Sequence, residues 1–228
     1  MFFPERITQI AAGDRVLEVG PGSDPHPRSD VLLEKVFDTE DEKAAQRGHT
    51  PDLPVGKNVV TYAGGRFPFE DHAFDYVICS HVLEHVEDVP HFISELTRVA
   101  RRGYLEYPTV YYDYIYNFRV HRNFLHHHGG VLRWMGKADS PLAEFLPVQK
   151  FFYESLVAGH DEIIKALKQQ FFEGFEWAGS LPVARACDLS EVCLRPEAYA
   201  FSDPAARRTA PAAAGIRQRL AAFVRQFT

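Results

Sequence analysis

Residues 15–36 read RVLEVGPGSDPHPRSDVLLEKV, and the fold turns on how that stretch is read. Val16, Leu17 and Val19 form a short apolar run that feeds directly into Gly20-Pro21-Gly22. A strand ending in a tight glycine turn is the usual opening of a nucleotide-binding unit. In such a unit a helix follows, and its N-terminal N–H groups and dipole neutralise a pyrophosphate. Here Pro25 and Pro27 stand where that helix would begin, removing two donors and disturbing helix initiation. Asp24 adds negative charge where a phosphate would sit, and no Lys-Ser/Thr pair follows the glycines. The loop is therefore expected to hold a ligand without phosphate, with the first crossover helix lost or very short.

Outward from this stretch, strands are expected at 15–19, 30–36, 58–63, 73–80 and 104–108. Val89, Phe92, Ile93, Leu96, Val99 and Ala100 recur at helical spacing, with Asp88 as cap and Pro90 in the first turn. Further helices are expected over 4–14 and 160–172, a loop with one helical turn over 40–57, and a closing strand pair at 174–179 and 191–196. Strand alternating with connection argues an α/β, Rossmann-like, doubly wound and mostly parallel sheet of about seven strands. The organisation expected is a core over 1–107, an inserted aromatic cap over 108–157, the rest of the core sheet over 158–200, and a basic, helical tail over 201–228.

The 228 residues carry a formal charge of −6, with 46% hydrophobic and 25% charged residues, which describes an ordinary globular chain without a basic footprint for nucleic acid. Cys79, Cys187 and Cys193 match no zinc spacing and no even disulfide framework, which points to a reducing, cytoplasmic setting. No apolar run approaches the roughly 20 residues of a membrane span. A homodimer is compatible with the basic tail.

A phosphate-free nucleoside ligand that fits the loop is S-adenosylmethionine (SAM). Glycines let the backbone approach it closely, and nearby acids such as Glu18 favour its ammonium and sulfonium. The set VLEVGPGSDP, an acid at Glu34, and RFPFEDHAFDYVICSHVLEHVED at 66–88 resembles the class I SAM-dependent methyltransferases, type-11 branch. The resemblance covers roughly 12–107 and implies that Glu18, Gly20, Pro21 and Gly22 surround the methionine part. It implies that Glu34 accepts hydrogen bonds from the ribose hydroxyls, a task that suits a two-oxygen acceptor. Ser80 and His81 would lie near the methionine part and the reaction centre. Where the family often has Asp after strand three, this chain has Ala63, then Gly64 and Gly65, so adenine is expected to be read by backbone or by Phe67.

The function expected is methyl transfer from SAM to a small-molecule acceptor, preferably a hydroxyl of a sugar or secondary metabolite. N- or carboxyl-methylation and SAM binding without turnover are the alternatives. A hydroxyl acceptor needs a base, and His81 is the first choice, followed by His85, His121 and Asp113. His81 and His85 are four apart and would share a helical face, but no third ligand stands at a defined spacing, so no metal is expected. Three adjacent histidines, His126 to His128, diverge in regular structure and precede Gly129-Gly130, so a solvated loop is expected there. Tyr107, Tyr111 and Tyr112 are the candidates for an aromatic substrate wall.

Overall fold

Val16–Val19 forms β1, buried along its whole length, as a central strand covered on both faces must be. In this computed structural model the described residues are 1–37, 39, 58–142 and 145–194. The other strands of the main sheet are β2 (Val31–Lys35), β3 (Asn58–Tyr62), β4 (Tyr76–Ser80), β5 (Arg102–Pro108) and β8 (Phe172–Ala178). Their order is β3-β2-β1-β4-β5-β8, six strands where the sequence suggests about seven. Parallel pairing runs from β3 to β5, and β8 closes the edge antiparallel to β5. From β1 the chain steps to β2 on one side and later to β4 on the other. That reversal opens a crevice beyond the carboxyl ends of β1 and β4, where open α/β sheets bind ligands.

The β1–β2 connection has no helix, as its prolines foretell. The sheet face left bare by that helix packs Val16, Tyr76, Ile78 and Tyr104 against Ile7 and Ile10. Residues 4–14 therefore do not form the expected helix. Only Pro4–Arg6 makes a 3-10 turn, because side chains take the backbone donors: Glu106 accepts from Phe2 and Phe3, and Glu176 from Thr8 and Gln9. On the other face lies α1 (Val89–Val99), whose buried Val89, Phe92, Ile93, Leu96 and Val99 repeat at the expected spacing. Each such side chain contributes about 1.5–3 kcal/mol by leaving water. Asp88 caps it through His91 N–H at 2.9 Å.

Arg98, at the end of α1, ties the 67–71 loop to the helix. Its guanidinium donates to Glu95, to the Phe67 and Phe69 carbonyls and to Asp71, while Glu95 accepts the Phe67 N–H at 2.7 Å. Arg98→Met strips Glu95 of its charged partner and should cost about 2 kcal/mol. A lower denaturant midpoint at constant m-value checks it.

After β5 the chain builds the insertion: α2 (Val110–Tyr116), a hairpin of β6 (Asn123–His128) and β7 (Val131–Gly136), and α3 (Leu146–Val157). β9 (Val183–Arg185) adds parallel to β7, making a second sheet. Tyr112 and Tyr116 of α2 share an aromatic core with Phe3, Phe171 and Phe172. The His126–His128 run is strand, not a solvated loop. His126 is buried and its Nδ1 meets Glu173 at 2.8 Å, and His127 stacks on Phe175 at 3.7 Å. The expected helix over 160–172 is two short ones, α4 (Glu162–Ala166) and α5 (Lys168–Phe171), broken at Leu167. Residues 174–178 are strand as expected, but 191–194 are not. Leu189–Val192 is a 3-10 turn, held by a capping box between Asp188 and Glu191. The expected tail over 201–228 and the loop over 40–57 lie outside the described residues.

Candidate active site

The crevice is bounded on one side by the turn after β1. Gly20 donates its N–H to Leu33 O at 2.9 Å and has φ +63°. A Cβ there would run into Val82 Cγ2, so the turn needs glycine for both its conformation and its space. Pro21, Gly22, Glu34, Ala63, Gly64 and Gly65 continue the same wall. Glu34 is the penultimate residue of β2, paired in register with Thr61. Glu18 reaches the crevice too, and its carboxylate accepts from His26 N–H and Ser29 Oγ, holding the helix-free loop in place. The volume, about 1790 Å³, exceeds what one small ligand fills, so two can share it.

Beyond that wall, Glu106 gathers a cluster of donors. Nearly inaccessible, it accepts from Phe2 N–H, Phe3 N–H, Ser80 Oγ, Tyr104 OH and His81 Nε2. Burial opposes its charge, but these donors, His81 foremost, hold its carboxyl down at about 2. His81 sits in the left-handed region at φ 57°, a strain of about 1–3 kcal/mol that clusters at functional sites. Burial works against its charged form, yet Glu106 and Glu84 outweigh it and push its pKa up to about 9. Glu106 and Glu84 thus engage both ring nitrogens, Nε2 at 3.1 Å and Nδ1 at 3.4 Å.

Beside them, Leu83–His85 forms a 3-10 turn pinned by the start of β6. Arg122 N–H donates to Glu84 O at 2.6 Å, and the Asn123 amide donates to Leu83 O and Val86 O. That clamp sets His121 against His85, with ring centroids 4.8 Å apart. His121 Nδ1 lies 2.9 Å from Asp113 Oδ2, and Lys137 Nζ lies 3.2 Å from the other Asp113 oxygen. His85 Nδ1 faces Val120 O at 3.1 Å. Burial lowers the His85 pKa, with His121 adding to the effect and Glu84 opposing it.

Residues 31–105 match the family model of a methyltransferase domain. Over that third of the chain, the likeness is to a methyltransferase domain of the type-11 family. No curated protein matches. Among solved structures, the chain is similar to the YcgJ protein from Bacillus subtilis at 20% identity, over 48% of this chain and 52% of that one, with TM-score 0.34. It is also similar to an S-adenosylmethionine dependent methyltransferase from Mesorhizobium loti at 14% identity, over 72% of this chain and 90% of that one, with TM-score 0.39. The chain spans about half the length of the Bacillus subtilis protein.

The cofactor this likeness implies is SAM, and the residues present fit it. The crevice is lined by Glu18, Asp24 and Glu34 and offers no helix N-terminus after the glycines, which suits a cation and not a diphosphate. The Gly20 turn brings backbone without a side chain to the same wall as Glu34.

Of the residues singled out in the sequence, the domain brings Gly20, Pro21, Gly22, Glu34, Ala63, Gly64, Gly65, Ser80, His81, His85 and His121 to this one crevice, with Glu18 beside them. Asp113 stands behind His121. Phe67 does not reach it. That ring is buried between Tyr62 and Phe92, and its backbone is held by Glu95. Tyr107 points into the core and donates to Glu173, and Tyr111 leans toward Leu194 O, which leaves Tyr112 as the wall residue of the three. Glu84, Phe37 and Phe2 also line the crevice and were not singled out. Glu84 stood in sequence between two named histidines, which was the one signal available.

Proposed function

We propose that the chain transfers a methyl group from SAM to a hydroxyl of a small molecule held beneath the aromatic insertion. One observation carries the reading: a single crevice runs from the Gly20–Glu34 wall to His85 and His121, with room for cofactor and acceptor together. When bound, SAM supplies a methyl made electrophilic by its sulfonium. The turn at Gly20 grips the cofactor through bare backbone, and Glu34 orients its ribose. His81, engaged by two carboxylates, is a fixed wall and does not take the proton. The acceptor hydroxyl is activated instead at the end of the crevice that holds His85 and His121. Val120 O and the Asp113 carboxylate can only accept, so each Nδ1 carries the hydrogen and each Nε2 keeps its lone pair for the acceptor side. Tyr112 offers an apolar face to the acceptor, and the insertion keeps water out. Three free cysteines support a reducing, cytoplasmic setting for this chemistry.

The test is methyl-donor turnover against a panel of hydroxyl, amine and carboxyl acceptors. With a hydroxyl acceptor, His121→Ala should lower kcat about a hundredfold while SAM affinity stays put. Turnover that survives His121→Ala unchanged removes His121 from this mechanism, and acceptance of amines alone removes the hydroxyl.

A further inference from the structure

The sequence offers His81 and His85 without a third ligand at a fixed spacing, and folding supplies one from elsewhere. Glu84, His85 and His121 each present a ligand atom, and these atoms lie within 4.8 Å of one another. Both imidazoles are already turned for the task. His85 Nδ1 is held by a backbone carbonyl and His121 Nδ1 by a carboxylate, the arrangement that orients a metal-binding histidine and leaves Nε2 to the ion. Asp113 is itself anchored by Lys137.

The carboxylate supplies the independent observation. Glu84 is 1% exposed, yet neither of its side-chain oxygens accepts a hydrogen bond. Its nearest ionisable neighbours are His81 Nδ1 at 3.4 Å and His85 Nε2 at 3.8 Å. Both contacts fall on Oε1, so the His81 pairing leaves Oε2 buried with no partner among the described residues, and a buried carboxylate oxygen in that state is costly unless it binds a metal. The Arg122 N–H and the Asn123 side-chain amide fix the turn that carries it. All three side chains line the crevice.

We propose that Glu84, His85 and His121 bind a divalent first-row transition cation whose open positions face the crevice and take the oxygen of the acceptor. Two imidazoles and one carboxylate suit Zn2+, Mn2+ or Co2+ and do not suit Mg2+, which prefers oxygen donors. Ligand distances of about 2.0–2.2 Å require the three donors to draw together by side-chain rotation. The cation polarises the acceptor hydroxyl, whose proton leaves to water, in place of direct abstraction by histidine. This role rests on the methyl-transfer reading above, whereas the binding of the cation does not.

The experiment strips the full chain with a chelator and titrates it with Mn2+ and with Co2+, by calorimetry and by Co2+ visible absorption. One equivalent should bind. Glu84→Gln and His121→Ala should each weaken binding about a hundredfold or more, and Asp113→Asn about 10- to 100-fold. His128→Ala should leave affinity unchanged. SAM affinity, measured on each variant without metal, reports that the fold is intact. No binding at millimolar cation, or equal binding by wild type, Glu84→Gln and His121→Ala, overturns the site. Cation bound with no acceptor methylated keeps the site and sinks the methyl-transfer reading. Methylation indifferent to the chelator, with no cation bound, does the reverse.

Discussion

Gly20→Val abolishes SAM binding in the folded chain, a loss beyond about a thousandfold in affinity. The cause is double. At φ +63° a β-branched side chain is in a conformation that L-residues rarely adopt, and its Cβ would meet Val82 Cγ2. Val82 cannot retreat freely, because the turn it precedes is pinned by Arg122 and Asn123. The turn must then open, which breaks the Gly20 N–H bond to Leu33 O and moves the wall that meets the cofactor. Gly20→Ala is the milder probe and should lose about a hundredfold. Calorimetry with SAM, alongside the melting curve of each variant, checks both. Full affinity in a folded Gly20→Val chain would show that the turn does not touch the cofactor.

Glu34→Ala should weaken SAM several-hundredfold while leaving stability nearly unchanged. Two hydrogen bonds to one carboxylate, at about 1.5–3 kcal/mol each, set that size. Glu34 is half-buried near the end of β2, and the fully buried part of the strand, Val31 to Leu33, stays in place without it. Glu34→Gln keeps one acceptor and should recover part of the loss. The sharper readout uses a cofactor analogue lacking the ribose hydroxyls. Wild type should discriminate against it strongly, and the Ala variant hardly at all. Equal discrimination by both would move the ribose contact to another residue.

The parts legible in sequence are those set by short-range chemistry. The period of Val89 to Val99, the Asp88 cap and the apolar run of β4 each declare themselves within a few residues, and each stands where expected. The prolines after Gly22 announce a connection without a helix because they remove donors wherever they occur. The segments misread are those whose backbone or charge is satisfied from afar. Thr8 and Gln9 look helical until Glu176 takes their N–H groups. His126 looks like a loop residue until Glu173, on a strand of the other sheet, makes its burial tolerable. Phe67 looks like an adenine contact until Glu95 and Arg98 draw its loop onto α1.

By itself the sequence determined a parallel sheet with a phosphate-averse glycine turn and an acid at the tip of the second strand, because strand periodicity, proline stereochemistry and side-chain charge act locally. Only the tertiary structure decided which groups face one another around Glu84, His85 and His121. Glu84 and His85 meet His121 because the Arg122 N–H and the Asn123 side-chain amide hold the start of a distant strand against their turn. A contact made through one peptide N–H and a side-chain amide, across so long a separation, leaves no period or spacing in the chain to be read.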